Sequence, residues 1–146
     1  MAIVALMTSA LVLTPTLWLG VLVATVLTYL LGALWFTPLF GRAWDRGVGV
    51  RRERGARFGP AYYVVPLVGA AGSAYALAVL VTAADLSGVG DAVVLGVVVG
   101  LGVGLTVSFT NALTPRTARP LLYGLVTGSF HAVSAVLAAV VAALAR

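Results

Sequence analysis

The sequence contains no cysteine, no lysine and only four acidic residues among 146. The missing cysteines exclude disulfides, thiolate metal sites and cysteine nucleophiles. Charged residues make up 9% of the chain and hydrophobic ones 62%, far too little charge to clothe a soluble domain of this length. The length suits one domain, and most of its surface must meet lipid. The net charge of +5 comes from arginine alone. Those arginines cluster in one loop, a pattern that does not favour nucleic-acid binding. The dominance of Ala, Val, Gly and Leu over Ile, Asn and Lys points to a GC-rich genome and hence to a bacterium.

What is present is apolar sequence in four long stretches, at about 15–37, 61–84, 92–113 and 118–144. Each reaches the roughly 20 residues that a helix needs to cross a hydrocarbon core. Barrel strands would alternate apolar and polar residues, and these stretches do not. A polar loop at 38–60 and two short turns at 85–91 and 114–117 connect them, and short connections make sequential helices antiparallel. The expected fold is an all-α integral membrane protein with four transmembrane helices in an up-down-up-down bundle, forming one domain over 15–146. Residues 1–14 read as a short apolar extension that lacks the basic start of a signal peptide. Thr14 and Pro15 are suited to cap and open the first span.

Charge sets the expected orientation. Arg42, Arg46, Arg51, Arg52, Arg54 and Arg57 occupy the first loop, Arg116 and Arg119 the third connection, and Asp85 and Asp91 the middle one. The positive-inside rule then makes the first and third loops cytoplasmic and puts both termini outside, in a bacterial plasma membrane. Only Arg146 runs against this trend. The eight loop arginines are expected to lie on anionic lipid headgroups. Trp35, Trp44, Tyr62 and Tyr63 sit where aromatic side chains anchor at the interface.

Small residues recur at intervals of four: Gly20, Ala24, Thr28 and Gly32 in the first span, Gly96, Gly100, Gly104 and Ser108 in the third, and Gly124 and Gly128 in the fourth. Such stripes let helix backbones approach closely in lipid, where no hydrophobic drive brings helices together. Three striped helices exceed what one small bundle obviously needs, so the pattern predicts a homo-oligomer with a structural or accessory role.

Candidates for chemistry are few. Apart from Arg119 at the very start of the fourth, no Asp, Glu or Arg falls inside a span, which counts against charge-coupled transport. No nucleophile–base pair, paired acids or metal cluster can be assembled, so no catalytic residue, metal or cofactor is expected. His131 is the one titratable side chain near mid-membrane, a functional candidate by position. Thr127 and Ser134 share its helix face. A structural interhelical hydrogen bond competes with the alternative, a transport pathway between subunits lined by these residues. Asn111 and Ser108 form a second polar spot, about 15 Å from His131 along the bundle axis, with Asn111 suited to cap backbone near Arg119 and Tyr123.

The run Gly32-Ala-Leu-Trp-Phe-Thr-Pro-Leu-Phe-Gly-Arg-Ala-Trp44 resembles the first-span signature of a bacterial membrane family catalogued as domain of unknown function seventeen-sixty-one. The stretch from Gly102 to Gly124, with Asn111-Ala-Leu and Arg119-Pro120, is similar to that family's third span and turn. The likeness extends from about Trp18 onward and implies a compact multi-span membrane protein, with no activity to carry over.

Overall fold

A computed structural model describes residues 13–53 and 58–146. Among these, four helices are long and apolar enough to cross a membrane: α1 (Pro15–Leu34, extended by a π turn to Leu39), α3 (Ala61–Ala83), α4 (Val89–Ala112) and α5 (Pro120–Leu144). A short helix, α2 (Gly41–Val48), fills part of the first loop. The bounds lie within about three residues of those read from the sequence, because hydropathy and Pro/Gly punctuation dominate both. Residues 1–12, Arg54 and Arg57 lie outside the described residues.

Local chemistry accounts for the helix ends. Thr14 Oγ1 accepts from Leu17 N at 3.3 Å, and Pro15 opens α1 where its missing N–H would have no helical partner. At the far end of α1, Pro38 cannot donate and its ring would crowd the carbonyl of an α-helix. The backbone widens into a π turn over Trp35–Leu39, closed by Phe40 N donating to Trp35 O at 2.8 Å. The α3–α4 turn uses Asp85 in the left-handed region, φ 53°, which Asp tolerates better than most residues. Arg146 donates to that same Asp85 carboxylate at 2.5 Å and to Leu86 O at 2.8 Å. The arginine that ran against the charge trend is thus paired with the acidic turn.

Helix α5 is the axis of the bundle. It packs against α1, α2, α3 and α4, while α3 and α4 meet only marginally and only along the Val89–Val99 half of α4. Its own sequence explains this role, since Gly124, Gly128, Ser134, Ala135, Ala138, Ala139, Ala142 and Ala143 are all buried and small. The half of the bundle nearest the Asp85 turn is closely packed around Leu17, Val21, Ala74, Leu77, Val81, Ala92, Ala138 and Ala142. The half nearest the arginines is not. There α3 has no buried residue before Ala70.

The glycine stripes are used inside this one chain. A Cβ on Gly100 would come within 2.6 Å of the Ala132 Cα, one on Gly104 within 2.8 Å of the His131 Cβ, and one on Gly20 within 2.6 Å of the Ala145 Cβ. Gly96 abuts the Val136 backbone, Gly124 the Phe109 ring, Gly128 Leu105 and Gly32 the Phe130 ring. Ala24 is buried at 2% exposure in the shared core. Each of these glycines therefore has a close neighbour within the same chain.

Candidate intramembrane site

The gap between α3 and α4 opens into a cavity of about 830 Å³ backed by α1 and α5. Its walls are mostly apolar, and no Asp, Glu or Arg lines it among the described residues. Among the polar side chains that line it are His131, Thr28, Thr127 and Ser134. His131 is exposed to the cavity, flanked by the Phe130 ring at 5.3 Å, and makes no hydrogen bond to another described residue. Thr28 from α1 and Thr127 and Ser134 from α5 line the same space, and each carries a buried hydroxyl oxygen without a hydrogen-bond partner.

Those three hydroxyls are exceptional within this molecule. A helical Ser or Thr can satisfy itself by donating to the carbonyl four residues back. Thr25 does so to Val21 O at 2.7 Å, Thr82 to Ala78 O at 2.8 Å and Thr106 to Gly102 O at 2.7 Å. Ser108, Thr110 and Ser129 follow the same rule. Thr28 and Ser134, 6% and 7% exposed, do not. Leaving a buried hydroxyl unmade costs about 1–3 kcal/mol. The molecule carries that cost at three residues that line one cavity.

The irregular backbone lies at the same place. Alpha-helical winding gives way to a π segment over Gly100–Leu105, directly across from Ala132 and His131. The other π turn contributes Phe36 and Thr37 to the cavity lining. Such bulges in helices recur at functional sites.

The mouth is held by one arginine. Arg52 Nε donates to Asp45 Oδ1 at 2.7 Å and Nη2 donates to Phe36 O at 2.9 Å. Longer contacts reach Gly41 O at 3.4 Å and the Tyr62 hydroxyl at 3.5 Å. The guanidinium also sits 5.5 Å from the Trp44 ring centroid. Phe36, Trp44 and Tyr62 all line the cavity, so Arg52 ties its rim together. Arg52 was expected on headgroups; with 19% of its side chain exposed, it is instead engaged with the protein. Arg42, Arg46, Arg51, Arg116 and Arg119 remain exposed.

Geometry gives Trp35 a partner and corrects the expectation for Asn111. Trp35 does not simply float at the interface: its Nε1 donates to Val126 O of α5 at 3.0 Å. Asn111 stands exposed and has no hydrogen-bond partner among the described residues, so it caps nothing near Arg119 or Tyr123. Arg119 N donates instead to Gly47 O at 2.9 Å, docking α2 on the start of α5. Facing pairs Phe109–Gly124 and Gly104–His131 fix the α4–α5 register, which keeps Asn111 about 13 Å from His131 along the axis. Ser108 bonds within its own helix, to Gly104 O at 2.7 Å. Neither joins the cavity. Among the described residues no three His, Asp or Glu side chains gather as a metal site.

An all-helical bundle with four membrane-length helices and a mostly apolar cavity between two of them defines a class rather than an activity. Within that class the chain belongs to the family described as "Protein of unknown function (DUF1761)", whose model matches residues 19–143. No curated protein and no solved structure matches the chain. The first-span motif now has physical content. Trp35 bonds α5, Pro38 forces the π turn, and Arg52 reaches Phe36 O across a backbone that a side chain on Gly41 would crowd at 2.8 Å.

Proposed function

We propose that this protein binds a small molecule within the membrane, in the cavity between α3 and α4, with His131, Thr28, Thr127 and Ser134 as its polar contacts. One observation carries the reading: three buried hydroxyls lack partners, all on residues that line the cavity, while the hydroxyls of six other helical Ser and Thr residues bond to their own helix. Buried polar groups in folded proteins are overwhelmingly satisfied, so a convergent set of exceptions marks a place for something that the chain does not itself supply.

An accessory role for a self-associating bundle rested on the glycine stripes, and those are occupied within the chain. A pathway between subunits rested on the polar face of His131, which here opens into a cavity within one subunit. The close packing near the Asp85 turn favours a binding pocket closed at that end over a continuous channel. With the arginine-rich end cytoplasmic, as the positive-inside rule directs, the pocket faces the cytoplasmic half of the bilayer.

The absence of native cysteine makes a direct test simple. Ser73 lines the cavity, whereas Val98 is 62% exposed and lies outside it. In vesicles, a cysteine at Ser73→Cys should react with N-ethylmaleimide at least about tenfold faster than one at Val98→Cys, because a thiolate needs a wetted environment. Equal, slow reaction at both positions would remove the pocket from consideration.

A further inference from the structure

We infer that the occupant is an uncharged amphiphile whose compact oxygen-bearing head accepts hydrogen bonds from Thr28 and Ser134, and that it enters from the lipid between α3 and α4. This rests on the reading of the cavity as a binding site and specifies its ligand.

The head is uncharged because no permanently charged side chain lines the cavity among the described residues, and the imidazole of His131 is mostly neutral at pH 7. The lining carries no Asp, Glu or Arg, and an unpaired charge buried in apolar surroundings is far costlier than a neutral polar group. Arg52, which ties the rim, already has Asp45 as its counter-ion. The head accepts hydrogen bonds because both hydroxyls have protons to give: neither is donated to its own helix, unlike those of Thr25 and Ser108. The remainder of the molecule is apolar because the rest of the wall is, through Val65, Leu77, Leu80, Val99 and Val103.

Depth and entry fit together. His131 lies eleven residues into α5, about 16 Å from its start. A phospholipid would leave its charged head at the interface and set an acyl chain against these hydroxyls, so a molecule able to carry its head inward fits better. The way in is the α3–α4 gap. Residues 61–69 of α3 are all exposed, and Gly69 and Gly72 have nothing within 4 Å of a Cβ position. Pro66 lies within this stretch and lines the cavity. Lacking an N–H, it takes one hydrogen bond out of the α3 ladder there.

Protection of the Ser73→Cys thiol from N-ethylmaleimide, in phosphatidylcholine vesicles of the full chain, reads occupancy. The probes are 2-dodecanone, dodecane and dodecyltrimethylammonium at equal mole fraction in the bilayer. The ketone should slow alkylation about threefold at a concentration twice its dissociation constant, while the alkane and the ammonium leave the rate nearly unchanged. Adding Thr28→Val and Ser134→Ala together should raise the ketone concentration needed for half-maximal protection about five- to tenfold, and Thr28→Val alone provides the same readout at smaller amplitude. Protection by dodecane equal to that by the ketone, protection by the ammonium, or a reactive thiol that no probe protects would each overturn this ligand class. An unreactive Ser73→Cys would instead overturn the pocket itself.

Discussion

The guanidinium of Arg52 donates to the backbone carbonyl of Phe36 at 2.9 Å, within the π turn that Pro38 forces at the end of α1. That bond, together with the Arg52–Asp45 pair at 2.7 Å, joins a juxtamembrane loop to the rim of the cavity. Both partners of the ion pair are largely shielded, so the contact counts for more than an exposed salt bridge would.

Arg52→Ala should therefore destabilise the protein by about 2 kcal/mol through lost charge-assisted hydrogen bonds. Arg52→Lys should recover only part of this, because an ammonium cannot reach Asp45, Phe36 O and the Trp44 face together. Arg51→Ala, at an exposed neighbour, should stay within about 0.5 kcal/mol of the parent. Unfolding by SDS in mixed micelles measures all three.

Glycine positions separate close packing from open surface. Gly100→Ala puts a methyl group against the Ala132 backbone, and Gly102→Ala points into open space. The first should cost about 1–3 kcal/mol through forced separation of α4 from α5. The second should be neutral within about 0.5 kcal/mol. Because the stripe packs within one chain, the loss should appear in unfolding of the monomer rather than in a change of detergent-corrected mass.

Trp35→Phe keeps an aromatic ring near the interface but deletes the donor to Val126 O. A cost of about 1 kcal/mol is expected, seen in the same unfolding assay. No loss at all would return Trp35 to the role of a simple interface anchor.

Orientation can be read with thiols in whole cells. A cysteine at Ser87→Cys, in the acidic turn, should be labelled by a membrane-impermeant maleimide from outside. One at Thr114→Cys, at the arginine-rich end, should be labelled only after permeabilisation.

Much of this architecture is legible in the sequence, for reasons that particular residues make clear. Thr14-Pro15 announces the start of α1, and the charge gap between the arginines and the acidic turn marks where helices end. His131, Thr127 and Ser134 share a face at helical spacing, and the structure brings that face to the cavity. The rest depends on tertiary contacts. Eight residues with two arginines and an aspartate read as loop; they form α2 because α5 supplies a docking surface through Tyr123 and Arg119. Arg52 is indistinguishable by sequence from Arg51, and only its tertiary partners, Asp45 and the Phe36 carbonyl of the π turn, separate their roles. Thr28 counted as one more small residue in a stripe. Nothing local reveals that its hydroxyl forgoes the bond that Thr25 makes one turn earlier.

That forgone bond offers the most direct test of the central claim, that these hydroxyls serve a ligand rather than the fold. The triple variant Thr28→Val, Thr127→Val, Ser134→Ala keeps shape nearly unchanged and removes three buried groups that have no partner. Its unfolding free energy in micelles should match or exceed that of the parent, by up to about 3 kcal/mol, since replacing an unsatisfied buried polar group with an apolar one of similar shape relieves its desolvation cost. A loss of 1 kcal/mol or more, roughly the worth of a hydrogen bond, would mean that the hydroxyls hold the bundle together and would contradict the account.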